Sequence, residues 1–254
     1  MQQKSSFRLN RDEVQVWTLW SQHFRPAVDQ ISQVLAADEL HRAQQFRFRH
    51  LYDSFVIVRG ALRYLLGGYL NIHPSQIRFT YGPAGKPAIE AISDIQFNVT
   101  HSSNFAAIVV AAGCELGIDA EREHEVPEMQ QIAKQFFCAE EAAEVLELAP
   151  SERIGAFFRC WTRKEAYLKA IGSGFGEPLD GFRVTVLPDS PARILHIRCD
   201  SSDAQKWTMH DLSLASGYIA ALAYRDQPRS ISILPVDALG LEPFRSSRET
   251  LPCS

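Results

Sequence analysis

Cysteine is scarce and scattered in this sequence. Cys114, Cys138, Cys160, Cys199 and Cys253 are odd in number and form no C-x-x-C pair. That excludes a disulfide framework and a zinc knuckle, and fits a reducing compartment. Long hydrophobic runs are missing too. The longest clean apolar stretches, 105–112 and 218–224, fall far short of the roughly 20 residues that span a bilayer. The opening residues Met1 to Arg11 lack the apolar core of a secretory signal, so a cytoplasmic protein without membrane attachment is expected. There is no excess of positive charge: 26 Lys and Arg stand against 30 Asp and Glu, a formal charge of −4. General nucleic-acid binding would show a basic balance. What remains is a chain of 254 residues, 46% apolar and 22% charged, able to bury a real core in one large domain or two small ones.

The order of elements repeats. A β-rich stretch at 14–20 is followed by helical stretches at 36–48 and 52–70, the second carrying Phe55, Val58, Leu62, Leu65 and Leu66 at helical spacing. Pro74 closes that region, and strands follow at 77–81, 95–100 and 105–112. A strand at 116–121 then begins a second round, with helices at 127–137, 139–148 and 151–171 and strands near 184–187, 194–199, 207–213 and 217–223. The expectation is an α+β protein of two similar half-domains related by a pseudo-twofold, each a helix-packed, largely antiparallel sheet. The halves would be 1–115 and 116–234. Residues 235–254, with Pro235, Pro243 and Pro252 among Ser and Arg, would form a loosely held tail.

Charge is unevenly spread. Arg42, Arg47, Arg49, Arg59 and Arg63 lie in a stretch with one acid, Asp53, whereas 115–128 holds six acids and one base, Arg122. Two solvated faces would explain this, and so would a ligand made of polyphosphate and a divalent metal. Within the acidic stretch, Asp119 and Glu121 alternate with Ile118 and Ala120, so both carboxylates share one face of a strand with Cα atoms about 6.6 Å apart. They either converge on a cation or sit as two solvated acids. On a helix, Phe158, Trp161, Glu165 and Leu168 fall on one stripe, which places a carboxylate in an apolar line where it needs a partner. Lys169, one turn on, offers an intrahelical pair of about 0.3–0.5 kcal/mol. The alternative is that Glu165 is a metal ligand or base and Lys169 a phosphate contact. Thr100, His101 and Ser102 end a strand and suit phosphate oxygens or a structural turn. The turn Gly82-Pro83-Ala84-Gly85-Lys86-Pro87 either presents Lys86 to an anion or is simple turn chemistry.

G-K-P at 85–87, F-N-V-T-H-S at 97–102, G-I-D-A-E at 117–121 and F-F-R-C-W-T-R-K-E-A-Y-L-K at 157–169 occur in that order. Together they resemble the 4′-phosphopantetheinyl transferase superfamily, in its longer, surfactin-type branch of two-half pseudodimers. The resemblance covers about 38–181. It implies a monomeric enzyme that moves 4′-phosphopantetheine from coenzyme A to a serine of an apo acyl or peptidyl carrier protein, as in fatty-acid, polyketide or nonribosomal-peptide synthesis, and releases 3′,5′-ADP. A non-catalytic coenzyme A or carrier-binding module of the same fold is the alternative. By motif match, Asp119, Glu121 and Glu165 would hold Mg²⁺, and Glu165, Lys169 and His101 would form the catalytic set, with Glu165 as general base. Arg42 would contact the 3′-phosphate, Gly85, Lys86 and Pro87 the adenine–ribose end, Thr100 and His101 the phosphates, and Asp119 and Lys169 the pyrophosphate. Two positions depart from the pattern: Glu39 stands where a second cation is common, and Phe55 where a threonine is. Arg49 and His50 are the candidate substitutes. The 130–137 helix, with Phe136 and Phe137, is either a carrier contact or core.

Overall fold

The computed structural model describes residues 7–173, 177–198, 202–239 and 243–244. The chain enters on β1 (Glu13–Trp20) and passes through α1 (Val28–Ser32), α2 (Ala37–Gln44) and α3 (Arg49–Leu70). The hairpin of β2 (Phe79–Tyr81) and β3 (Pro87–Ile89) follows, then β4 (Ile95–Ser102) and β5 (Phe105–Ala112). The second round runs through β6 (Leu116–Arg122), α4 (Met129–Phe136), α5 (Ala139–Glu147) and α6 (Pro150–Ile171). It ends with β7 (Phe182–Val184), β8 (Ile194–Ile197), β9 (Thr208–Leu212) and β10 (Tyr218–Tyr224) before β11 (Ser230–Pro235).

The duplicated plan is realised in detail. Each half opens on a strand, builds up to a helix of 22 residues, makes a short hairpin, and closes with a longer antiparallel hairpin. The last strand of that hairpin takes the middle of the sheet, giving β1–β5–β4 in one half and β6–β10–β9 in the other. Both long helices stop on a left-handed residue, Asn71 (φ 54°) and Gly172 (φ 71°), which satisfies their last carbonyls.

Strand β5 explains how the halves join. All eight of its residues are buried, as expected for a strand covered on both faces. Ala106, Ile108 and Val110 pack into the core beneath α3, while Phe105, Ala107, Val109 and Ala111 enter a second apolar layer with Ile118, Ala120, Ala220, Leu222 and Tyr224. That layer lies between the two sheets. A third core gathers around α6 with Phe157, Phe158, Tyr167, Phe182 and Trp207.

Several expected boundaries shift. The stretch 36–48 is helical only to Gln44, and 45–48 form a connection instead. Strand β7 occupies 182–184 rather than 184–187. Strand β11 pairs in parallel with β1 (Glu13 opposite Ser230), so a segment counted with the second half completes the sheet of the first. The expected loose tail is packed where it is described: Val236, Leu239 and Phe244 are buried, the last ring edge-on to Phe24 and Tyr64. Residues 245–254, and with them Cys253, lie outside the described residues, as does Cys199. Among the described residues no helix is long and apolar enough to cross a membrane.

Candidate active site

Gly117 sets the geometry of the site. A Cβ on this residue would stand 2.2 Å from the Ala166 carbonyl oxygen and 2.4 Å from the Ala170 nitrogen. Strand β6 and helix α6 therefore touch backbone to backbone, an approach only glycine permits. The contact brings the second half of α6 against Asp119, two residues on. Lys169 Nζ lies 2.6 Å from Asp119 Oδ1, and the carboxylate is almost fully buried. Ile118 and Ala120 point into the layer between the sheets, so Asp119 and Glu121 share the opposite face, as the alternation requires.

Of the two alternatives for Lys169, the intrahelical pair is not formed: Lys169 reaches across to the strand, and no ion pair with Glu165 is present among the described residues. Glu165 and Glu121 both titrate above the usual carboxylate range. Desolvation is the first cause for each; Asp119 adds like-charge repulsion to both, and Lys169 partly offsets it. Three carboxylates thus feel one another's charge and that of a single lysine. Asp119 Oδ2 is buried without any hydrogen-bond partner, and an orphaned carboxylate oxygen is costly unless a ligand or cation takes it. Among the described residues no three His, Cys, Asp or Glu side chains are already drawn together as a cation cage.

The first half supplies the facing wall. Thr100 is buried and donates to Asp119 Oδ1 at 3.1 Å, while Ser102 donates to Glu121 Oε2 at 2.8 Å. Thr100 was expected at a phosphate; its hydroxyl is occupied by protein. His101 titrates below the usual imidazole value, through desolvation first and then the Lys169 charge, with Arg42 adding a smaller push. That places Arg42, His101, Asp119 and Lys169 within one electrostatic neighbourhood. Gly85 (φ 81°) needs its left-handed conformation to close the 82–87 turn. Lys86 leaves that turn and donates to the carbonyls of Leu116 (3.1 Å) and Ala170 (2.6 Å), clasping the two halves. Burial lowers its pKa to about 8; one of its three donors remains for a ligand. Gly85, Lys86, Asn98, Glu165, Leu168 and Lys169 line a cavity of about 250 Å³ at this junction.

The arginine-rich stretch divides. Arg59 and Arg63 both pair with buried Glu39, which also caps α2 through the Ala36 N–H at 2.7 Å. Glu39 is therefore a buried carboxylate that neutralises Arg59 and Arg63 within the core. Arg49 pairs with Asp53 at 2.7 Å, His50 stacks on Phe48, and Arg42 lies over the Phe55 ring. In the W-T-R-K-E run, Arg163 and Lys164 are buried: Arg163 grips Asp211, and Lys164 pairs with Glu141 at 2.7 Å. Those two cations hold α6 in place from behind. Phe137 is core, while Phe136 is 39% exposed.

Comparison with known proteins covers most of the chain. Residues 115–223 match the 4′-phosphopantetheinyl transferase superfamily, and residues 15–114 match the 4′-phosphopantetheinyl transferase N-terminal family. The 4′-phosphopantetheinyl transferase HetI of Nostoc is 34% identical over 215 residues, 84% of this chain and 87% of that protein. The chain belongs to the 4′-phosphopantetheinyl transferase superfamily. A putative 4′-phosphopantetheinyl transferase of Synechocystis is 32% identical, covering 73% of this chain and 74% of that one. The transferase Sfp of Bacillus subtilis is 31% identical over 58% of this chain and 66% of its own length. This phosphopantetheinyl transferase therefore uses coenzyme A as substrate and a carrier protein as acceptor, the family's reaction.

Proposed function

We propose that the transfer takes place at the junction of β4, β6 and α6, with Glu165 as general base, Lys169 at the pyrophosphate, and Asp119, Glu121 and Glu165 holding Mg²⁺. The observation that carries this is the buried, unpartnered Asp119 Oδ2 beside two carboxylates whose charge the protein leaves under-compensated. An oxygen-only set of a few carboxylates, completed by substrate phosphate and water, suits Mg²⁺. When bound, the ion neutralises charge on the nonbridging phosphate oxygens. Glu165, raised above the ordinary carboxylate range, accepts the proton of the attacking serine hydroxyl. Lys169 shifts from Asp119 toward the leaving 3′,5′-ADP. Arg42 and His101 take phosphate oxygens, and Gly85, Lys86 and Pro87 border the adenine–ribose end. Arg49 is a reserve contact, available once Asp53 releases it. The carrier approaches over α4, where Phe136 is exposed beside Lys134. A monomer working in the cytoplasm completes the reading, supported by the reduced, dispersed cysteines among the described residues.

Mass spectrometry of an apo carrier protein incubated with this protein, coenzyme A and Mg²⁺ tests the reaction. The carrier should gain one phosphopantetheine, and no gain across several carriers would refute the assignment.

Coenzyme A binding should also be linked to protons. In the free protein desolvation and then the Lys169 charge hold the His101 pKa below the usual imidazole value of about 6.5. A phosphate beside the ring reverses that, so binding draws in a proton and tightens as pH falls from about 6.5 toward the lowered value. Isothermal titration at pH 6 in two buffers of different ionisation enthalpy measures the uptake. His101→Ala should abolish the protein's share, and equal uptake in both proteins would remove His101 from the phosphate.

A further inference from the structure

Strands β4 and β6 belong to different sheets, yet they run side by side in the same direction and are joined by side chains instead of a backbone ladder. Asn98 Oδ1 accepts from the Ile118 N–H at 3.0 Å, Thr100 Oγ1 from the Ala120 N–H at 3.1 Å, and Ser102 Oγ from the Arg122 N–H at 3.2 Å. On its other edge β6 pairs with β10, so these three amides are edge groups that would otherwise lack partners. Two-residue spacing on both strands keeps the three bonds in register.

The bonds fix which way two hydroxyl protons point. A backbone amide can only donate, so Thr100 and Ser102 receive it on a lone pair and direct their own protons elsewhere. Thr100 donates to Asp119 Oδ1 and Ser102 to Glu121 Oε2. Each carboxylate is thereby held by one oxygen, and its second oxygen has no hydrogen bond among the described residues; for Asp119 that second oxygen is the buried orphan.

We infer that Thr100 and Ser102 are positioning residues that select which oxygen of Asp119 and of Glu121 faces the divalent cation. This rests on the proposed metal role of those carboxylates, and assigns Thr100 to the carboxylate instead of to the substrate phosphate. Outer partners of this kind govern metal affinity by about 10–100-fold. They preorganise the ligands without touching the reacting atoms.

The test is a Mg²⁺ titration of the protein with coenzyme A, read by thermal stabilisation and separately by turnover. Thr100→Val and Ser102→Ala should each raise the Mg²⁺ concentration for half-maximal stabilisation by about 10-fold or more. Turnover at saturating Mg²⁺ should stay within a few-fold of the parent, and coenzyme A affinity in EDTA should not change. Thr100→Ser, which keeps the hydroxyl, should restore the parent requirement. A Thr100→Val variant that weakens coenzyme A in EDTA and leaves the Mg²⁺ requirement unmoved overturns the assignment. Should loss of the buried acceptor keep Thr100→Val from folding, Ser102→Ala at the strand end carries the same test. Asp119→Ala separates the two levels of inference. If it shifts the Mg²⁺ requirement while the hydroxyl variants do not, the positioning role alone fails; if it shifts nothing, the metal reading fails first.

Discussion

Replacing Glu165 by glutamine is expected to lower kcat by on the order of 10²-fold or more, the usual contribution of a positioned base, while coenzyme A binding stays within a few-fold. Glutamine preserves the volume and one oxygen but cannot accept the serine proton at neutral pH. The environment supports this division of labour. Desolvation and the charge of Asp119 push the Glu165 pKa upward, with Glu121 adding to it, which makes the carboxylate a better proton acceptor than a solvated one. Lys169, by contrast, is already anchored on Asp119 at 2.6 Å, so the cationic side of the site survives the substitution. Stopped assays with labelled coenzyme A give kcat, and titration calorimetry gives the affinity. Near-normal turnover would remove Glu165 from the base role.

Gly117→Ala is expected to be as damaging by a different route. Its Cβ would meet the Ala166 oxygen at 2.2 Å and the Ala170 nitrogen at 2.4 Å, both backbone atoms that no rotamer change can move. The helix cannot slide aside easily, because Arg163 and Asp211 and the Lys164–Glu141 pair pin its far side. Overpacking of this kind costs about 3 kcal/mol at the upper end of the common range, which in a chain of this size lowers Tm by roughly 6–12 °C. The fraction that folds should have Lys169 and Glu165 displaced from Asp119 and lose most of its turnover. Calorimetry and the carrier assay check both effects. An unchanged Tm would show that the close approach is not a constraint.

Part of the candidate site is legible in the sequence. Period-two alternation places Asp119 and Glu121 on one face, and a charge on an apolar helical stripe singles out Glu165; both are local patterns. Partnerships across elements were not legible. Lys169 looks like a partner for Glu165 because both lie on one helix, yet the competing carboxylate comes from β6 and depends on Gly117. Thr100 reads as a phosphate contact until the β4–β6 register turns its hydroxyl to Asp119. The same holds for the arginine stretch, where Glu39 withdraws Arg59 and Arg63 but leaves Arg42 over the Phe55 ring. Strand β11 follows the second half directly in sequence, so only its pairing with β1 shows that it completes the sheet of the first.

That return strand has a consequence for how the protein comes to exist. Residues 15–114 look like a self-contained half, but their sheet lacks an edge until 230–235 arrive in parallel beside β1, and their core stays open until Val236, Leu239 and Phe244 close over it. The first half therefore takes part of its sheet and core from residues more than a hundred positions downstream. Cutting the chain near residue 115 would not yield two working pieces. The pairing of β1 with β11 is the clasp that ties the two halves of a duplicated architecture together.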